Sequence, residues 1–131
     1  EFAAAHRIYN PAWSDEKNTE VFGPCSNPMG HGHNYTLEIT VGGTPAPETG
    51  YVIDLRQLKK LVEETIIQQL DHKHLNYDVP LLQGKIPSTE NLIIAIWDEL
   101  QKALPPHVRL FRLRLWETNN NYFEYYGEKT D

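Results

Sequence analysis

At 131 residues the chain has the length of one domain, 1–131, and its 40% hydrophobic content suffices for a moderate core. A net charge of −6 without Lys/Arg clusters argues against nucleic acid as a partner. No window approaches the roughly 20 apolar residues of a membrane span, no signal-peptide pattern occurs, and a single cysteine forbids an internal disulfide and suits a reducing cytoplasm.

The first element predicted is a strand over Phe2–Ile8, in which Phe2, Ala4, His6 and Ile8 share one face. Its small residues leave room for another strand to approach. Residues 9–30 hold Asn10, Pro11, Gly23, Pro24, Pro28 and Gly30 and read as a long loop, a kind more often functional than idle. A strand follows from His31 to about Val41, ended by Gly42-Gly43. His31 and His33, two apart on a strand, point to the same side, as do Tyr35, Leu37, Ile39 and Val41. Two imidazoles ending an apolar face are costly to bury unpaired, and a shared metal ion or a substrate relieves that cost. If the first strand pairs with this one, His6 completes a set of three. Three neutral imidazoles with a fourth position open is the arrangement of catalytic zinc.

Cys25 lies in the loop before these histidines. It reads as an inert buried thiol, as a thiolate activated by a neighbouring cation, or as a fourth metal ligand that would close the site.

After a short strand at Tyr51-Val52-Ile53, Asp54 reads as an N-cap with Gln57 as its capping-box partner. Leu55, Leu58, Leu61, Val62, Ile66 and Leu70 then repeat at helical spacing, predicting a helix over 55–70. Asp71-His72 comes next, where a carboxylate can set an imidazole's tautomer; His72-Lys73-His74 could equally be a solvated turn. A second helix starts near Ser88-Thr89-Glu90, carries Leu92, Ile93, Ile96, Trp97, Leu100 and Leu104, and stops at Pro105-Pro106. Val108–Glu117 alternates as a strand, with Phe111, Leu113 and Leu115 on the apolar face. Asn119–Asn121 turns the chain into a last strand, Tyr122–Tyr126. Glu117 continues the apolar face and must therefore be paired, either with solvent at an exposed strand end or with a ligand offering two adjacent N–H donors. The order ββααββ predicts an α+β fold, an antiparallel four-stranded sheet with two helices on one face.

Five stretches carry a resemblance: Phe2–His6, Gly23–Tyr35 (with Cys25, His31, His33), Leu70–Lys73, Ser88–Asn91 and Trp116–Asn119. In this order they are similar to the 6-pyruvoyl-tetrahydropterin synthase family, shared with the 6-carboxy-tetrahydropterin synthases of the queuosine pathway. The five-residue gap between Cys25 and His31 resembles the pyruvoyl branch. The resemblance implies a tunnelling fold assembled as a homohexamer, a dimer of trimers, with active sites between subunits. It implies His6, His31 and His33 as zinc ligands, Cys25 as general base, and Asp71 and His72 as a relay from another subunit. Glu117, with Thr89 and Glu90, would bind the pterin. The implied reaction turns 7,8-dihydroneopterin triphosphate into 6-pyruvoyl-tetrahydropterin, for tetrahydrobiopterin biosynthesis, with Mg2+ accompanying the triphosphate. Arg7 and Lys73 are candidates for the phosphates. The alternatives are a 6-carboxy-tetrahydropterin synthase and a non-catalytic zinc- or pterin-binding protein on the same scaffold.

Overall fold

The computed structural model describes residues 1–127. Its sheet has the order β3-β1-β2-β4-β5. β1 (Phe2–His6) lies antiparallel to the first half of β2 (His31–Gly42), with Phe2 opposite Tyr35 and His6 opposite His31. The second half of β2 pairs with β4 (Arg109–Thr118), which forms the expected hairpin with β5 (Asn121–Tyr125).

The sheet therefore has five strands and is mixed, where the sequence predicts four antiparallel ones. The addition is β3 (Lys73–His74), which runs parallel to β1. His72 and Leu75 donate their backbone N–H groups to the carbonyls of Ala3 and Ala5. Two residues carry no alternation pattern, so only their partner identifies them as a strand.

The loop read over 9–30 contains α1 (Asp15–Phe22), capped by Ser14 accepting from the Lys17 N–H. It lacks an apolar stripe; its one buried residue, Asn18, holds the Asn10 backbone from both sides. No strand forms at 51–53; Ile53 is buried in a bend whose neighbour Tyr51 is exposed.

The helix expected over 55–70 is continuous but changes pitch. α2 (Leu55–Val62) passes through a π turn (Glu63–Ile67) into α3 (Gln68–Leu70). Asp54 caps it by accepting from the Arg56 N–H, and the Arg56 guanidinium, rather than Gln57, folds back onto that carboxylate. α4 (Thr89–Ala103) starts on its Ser88 cap, which accepts from the Asn91 N–H. Ile66, Leu70, Leu92, Ile96 and Leu100 from these helices meet Phe2, Tyr35, Leu113 and Leu115 from the sheet in one core. No helix among the described residues is long and apolar enough to cross a membrane.

Phe111 departs from the expected core stripe and is half exposed. A bulge sets Thr40 opposite Arg112 and Val41 opposite Leu110, leaving Phe111 as the extra residue. Leu110 takes the inner position, and Phe111 turns outward onto Tyr126. Bulges reverse the phase of a strand in this way.

Candidate metal centre and active site

Register builds the site. Because His6 pairs with His31 and the small Ala4 pairs with His33, all three imidazoles project from the helix-covered face at the end of β1. Their ring centroids lie 4.6, 4.9 and 5.1 Å apart with the rings steeply tilted to one another, so nitrogens rather than faces converge. Glu117 joins them from β4. A second bulge, between Trp116 and Thr118, leaves Glu117 as the extra residue of the hairpin, and such bulges re-aim side chains. Its Oε1 stands 2.9 Å from His33 Nε2 and 3.8 Å from His6 Nε2. One ligand atom from each of His6, His31, His33 and Glu117 lies within 4.8 Å of the others.

His6 is held from behind. Its Nδ1 lies 2.8 Å from the Pro87 carbonyl, which can only accept, so Nδ1–H donates and Nε2 presents its lone pair. That lone pair faces His31 Nε2 at 3.0 Å. Metal-ligating histidines commonly have the far nitrogen fixed in this way. His33 Nε2 is buried and makes no aligned hydrogen bond despite its nearness to Glu117. An orphaned imidazole nitrogen beside a second imidazole lone pair and a carboxylate is a donor set that fits a divalent cation.

Burial lowers the pKa of His6 and of His33. For His6 the Pro87 carbonyl opposes the shift and the other imidazoles reinforce it; for His33 Glu117 opposes it. Both rings are therefore ready ligands at neutral pH. In metal-free protein their folded pKa values lie below the unfolded value of about 6.5, so the unfolded chain binds more protons as pH falls past that point. Stability is then full above about pH 6.5 and is lost as pH falls through the folded pKa values. Thermal unfolding in chelator between pH 7.5 and 5 should show the melting temperature falling with acid; a flat profile refutes this.

Beneath the imidazoles lies Tyr35, fully buried, whose phenol is pushed up by burial and by Glu117 while Thr89 opposes the shift. Thr89 is buried at the start of α4, whereas Glu90, next in the chain, is exposed. Sequence reasoning placed Tyr35 on this face without a role. It missed Pro87 altogether, because a carbonyl contact leaves no trace in residue type.

Cys25 is exposed in a 3-10 turn, Gly23–Ser26. Its carbonyl accepts from the Ile8 N–H, which docks the turn two residues beyond His6. Among the described residues the thiol is not one of the converging ligand atoms, whereas a Glu117 carboxylate oxygen is.

Asp71 and His72 are joined, Oδ2 to Nδ1, at 3.0 Å. The Ala3 N–H, first, and then His72 hold the Asp71 carboxyl below the usual carboxylate range. His72 has a positive φ of 61° and a largely exposed ring. The pair is tied to the backbone of Ala3, three residues along β1 from His6. His72 and His74 line an open cleft of about 570 Å³ that His33 also borders, with Ala3, Ala5 and Gly32.

An α+β chain that gathers three imidazoles and a carboxylate at a strand end, with a helix N-terminal segment bracing one ring, has the makings of a metalloenzyme. A family model described as 6-pyruvoyl tetrahydropterin synthase matches residues 1–128. The 6-pyruvoyl tetrahydrobiopterin synthase of Pongo abelii is 51% identical over 127 residues, covering 97% of this chain and 87% of that protein. The Homo sapiens protein of the same name is 50% identical with the same coverage. The solved Caenorhabditis elegans 6-pyruvoyl tetrahydropterin synthase superposes with a TM-score of 0.89 at 35% identity, covering 97% of this chain and 90% of that one. The chain belongs to the 6-pyruvoyl tetrahydropterin synthase family, whose members are enzymes of pterin biosynthesis.

Proposed function

We propose that this protein, one domain over 1–131, converts 7,8-dihydroneopterin triphosphate to 6-pyruvoyl-tetrahydropterin and releases triphosphate. The observation that carries the reading is the convergence of His6, His31 and His33 in a chain half identical to synthases of that name. The three imidazoles would hold zinc, the metal suited to neutral nitrogen ligands with an exchangeable fourth position. When bound, zinc supplies Lewis acidity to the hydroxyls of the substrate's side chain and so acidifies the adjoining C–H bonds.

The rest falls to this chain's residues. The Cys25 thiolate takes protons from the side-chain carbons and returns them along it. Asp71 orients His72, and the pair carries protons to and from bulk water. Glu117 accepts from the N–H edge of the pterin, with Thr89 and Glu90 completing that end of the pocket. The ring gains the two hydrogens that the side chain loses, so no external reductant enters. Mg2+ accompanies the triphosphate, and the basic groups offered to it are Arg7, whose Nε donates to the Ser26 carbonyl of the Cys25 turn, and Lys73, next to the relay in sequence.

Assembly completes the site. β1 covers only residues 31–35 of β2 and β4 only 36–42, so each edge of β2 is half without a ladder partner among the described residues. Open edges invite pairing with further strands. In the tunnelling arrangement, sheets of three subunits close into a barrel and two barrels stack as a homohexamer. This brings Asp71 and His72 of one subunit to the imidazoles and Cys25 of the next. The use of a single, unpaired thiol suits a cytoplasmic enzyme.

The test is the product. Purified enzyme given 7,8-dihydroneopterin triphosphate should release triphosphate and form a pterin that keeps all three side-chain carbons. Acetaldehyde beside a carboxy-pterin assigns the queuosine-type reaction, and absence of turnover in zinc-loaded protein leaves a binding protein.

A further inference from the structure

Past the end of β1 the chain runs on through Arg7 and Ile8, which belong to no strand. Ladder pairing with β3 ends where Ala5 faces His74, and the Leu75 N–H donates to the Ala5 carbonyl. One rung further on, a side chain takes the place of a strand. Asn76 Oδ1 accepts from the Arg7 N–H at 2.8 Å, and Asn76 Nδ2 donates to the Arg7 carbonyl at 2.9 Å. A carboxamide carries acceptor and donor in one plane, so it can satisfy both main-chain groups of a single residue.

Held in this way, Arg7 and Ile8 carry the Cys25 turn. The Ile8 N–H donates to the Cys25 carbonyl at 2.9 Å, and Arg7 Nε donates to the Ser26 carbonyl at 2.8 Å. The guanidinium is itself fixed over the Tyr9 ring, its Cζ 3.8 Å from the centroid. Other bonds of the turn close on the turn itself, Ser26 Oγ donating to the Gly23 carbonyl and the Asn27 N–H to the Pro24 carbonyl. Cys25 is exposed and has little packing of its own, so its place is set through two successive carbonyls.

We propose that Asn76 is a positioning residue for the Cys25 thiol, acting through the Arg7–Ile8 backbone and the Arg7 guanidinium. Without the carboxamide, Arg7 loses its main-chain partners, and both donors from which the turn hangs shift together. Proton transfer needs hydrogen-bond reach, and a displacement of about 1 Å can cost about 10²-fold in rate. The inference rests on the reading of Cys25 as general base.

A double-mutant cycle on the full-length, zinc-loaded enzyme tests it. Asn76→Ala should lower kcat by about 10- to 100-fold and leave KM within about threefold. In a Cys25→Ala background the same substitution should change the residual kcat by less than about twofold, because a group acting through the thiol has nothing left to place. Hydrogen exchange should quicken at least about tenfold over residues 7–8 and 23–27, while residues 33–41 of β2 keep the wild-type rate. Losses that multiply in the double variant, unchanged exchange over 23–27, or a wild-type kcat in Asn76→Ala each overturn the proposal and leave Cys25 as the base. If Asn76→Ala does not fold, Arg7→Met, which removes the Nε donor, decides by the same criteria. A Cys25→Ala enzyme as active as the wild type overturns the general-base reading itself.

Discussion

Replacing Cys25 with alanine is expected to lower turnover by about 10²- to 10⁴-fold, the contribution of a positioned general base, while zinc content stays unchanged. The two readouts separate because the thiol lies outside the converging ligand atoms. An exposed cysteine on a short turn has little packing to lose, so stability should hardly move. Loss of zinc in Cys25→Ala would make the residue a ligand; full activity would remove it from the chemistry. The same variant tests the subunit arrangement. Co-expressed with His72→Ala, itself expected to be nearly inactive, it should regain up to about a quarter of wild-type activity, because random mixing in a symmetric oligomer rebuilds that share of intact sites. A mixture as inactive as its parents would place Cys25 and His72 in one chain's site.

His6→Ala should have the largest effect on the metal. His6 is almost fully buried, at 1% exposure, and is the ring braced by a backbone carbonyl, so its truncation removes both a ligand and the best-oriented one. Groups that merely support ligands are worth 10- to 100-fold in metal affinity, and losing a ligand should therefore cost more than about 100-fold. Equilibrium competition with a chelator of known zinc affinity measures this, and activity should fall in step with occupancy. A His6→Ala protein that retains wild-type zinc affinity would show that the ion, if any, lies elsewhere. Excess zinc should partly restore His31→Ala, whose ring is less enclosed, more readily than His6→Ala.

Much of the centre is legible in the chain because it rests on alternation. His31, His33 and Tyr35 must share a face of one strand, and His6 joins them as soon as Phe2–His6 pairs alongside. Glu117 is legible as an acid at the end of an apolar stripe, and an acid so placed needs a partner. That its partners are the imidazoles is not legible, because the bulge that turns it is a property of hairpin register, and register depends on which residues meet. Phe111 was misread for the same reason at the other end of β4: alternation counted along one strand is blind to a residue skipped by its neighbour. α1 escapes because its stabilising contacts are polar and local, through Ser14 and Asn18, without the apolar period that marks a helix. β3 escapes because it is too short to carry any period, and the Pro87 contact because main-chain oxygens look alike at every position.

That last contact limits how this centre can be altered. Since an oxygen of the peptide chain steers the His6 ring, exchanging the side chain at position 87 leaves the steering group in being. Detuning the ring requires shifting the whole segment that leads into α4, through an insertion or deletion between Leu82 and Ser88 or a change in how that helix seats. The metal's grip is thus tied to the docking of a helix, and substitutions remote from the imidazoles in sequence, along the seated side of α4, become routes by which it can be loosened.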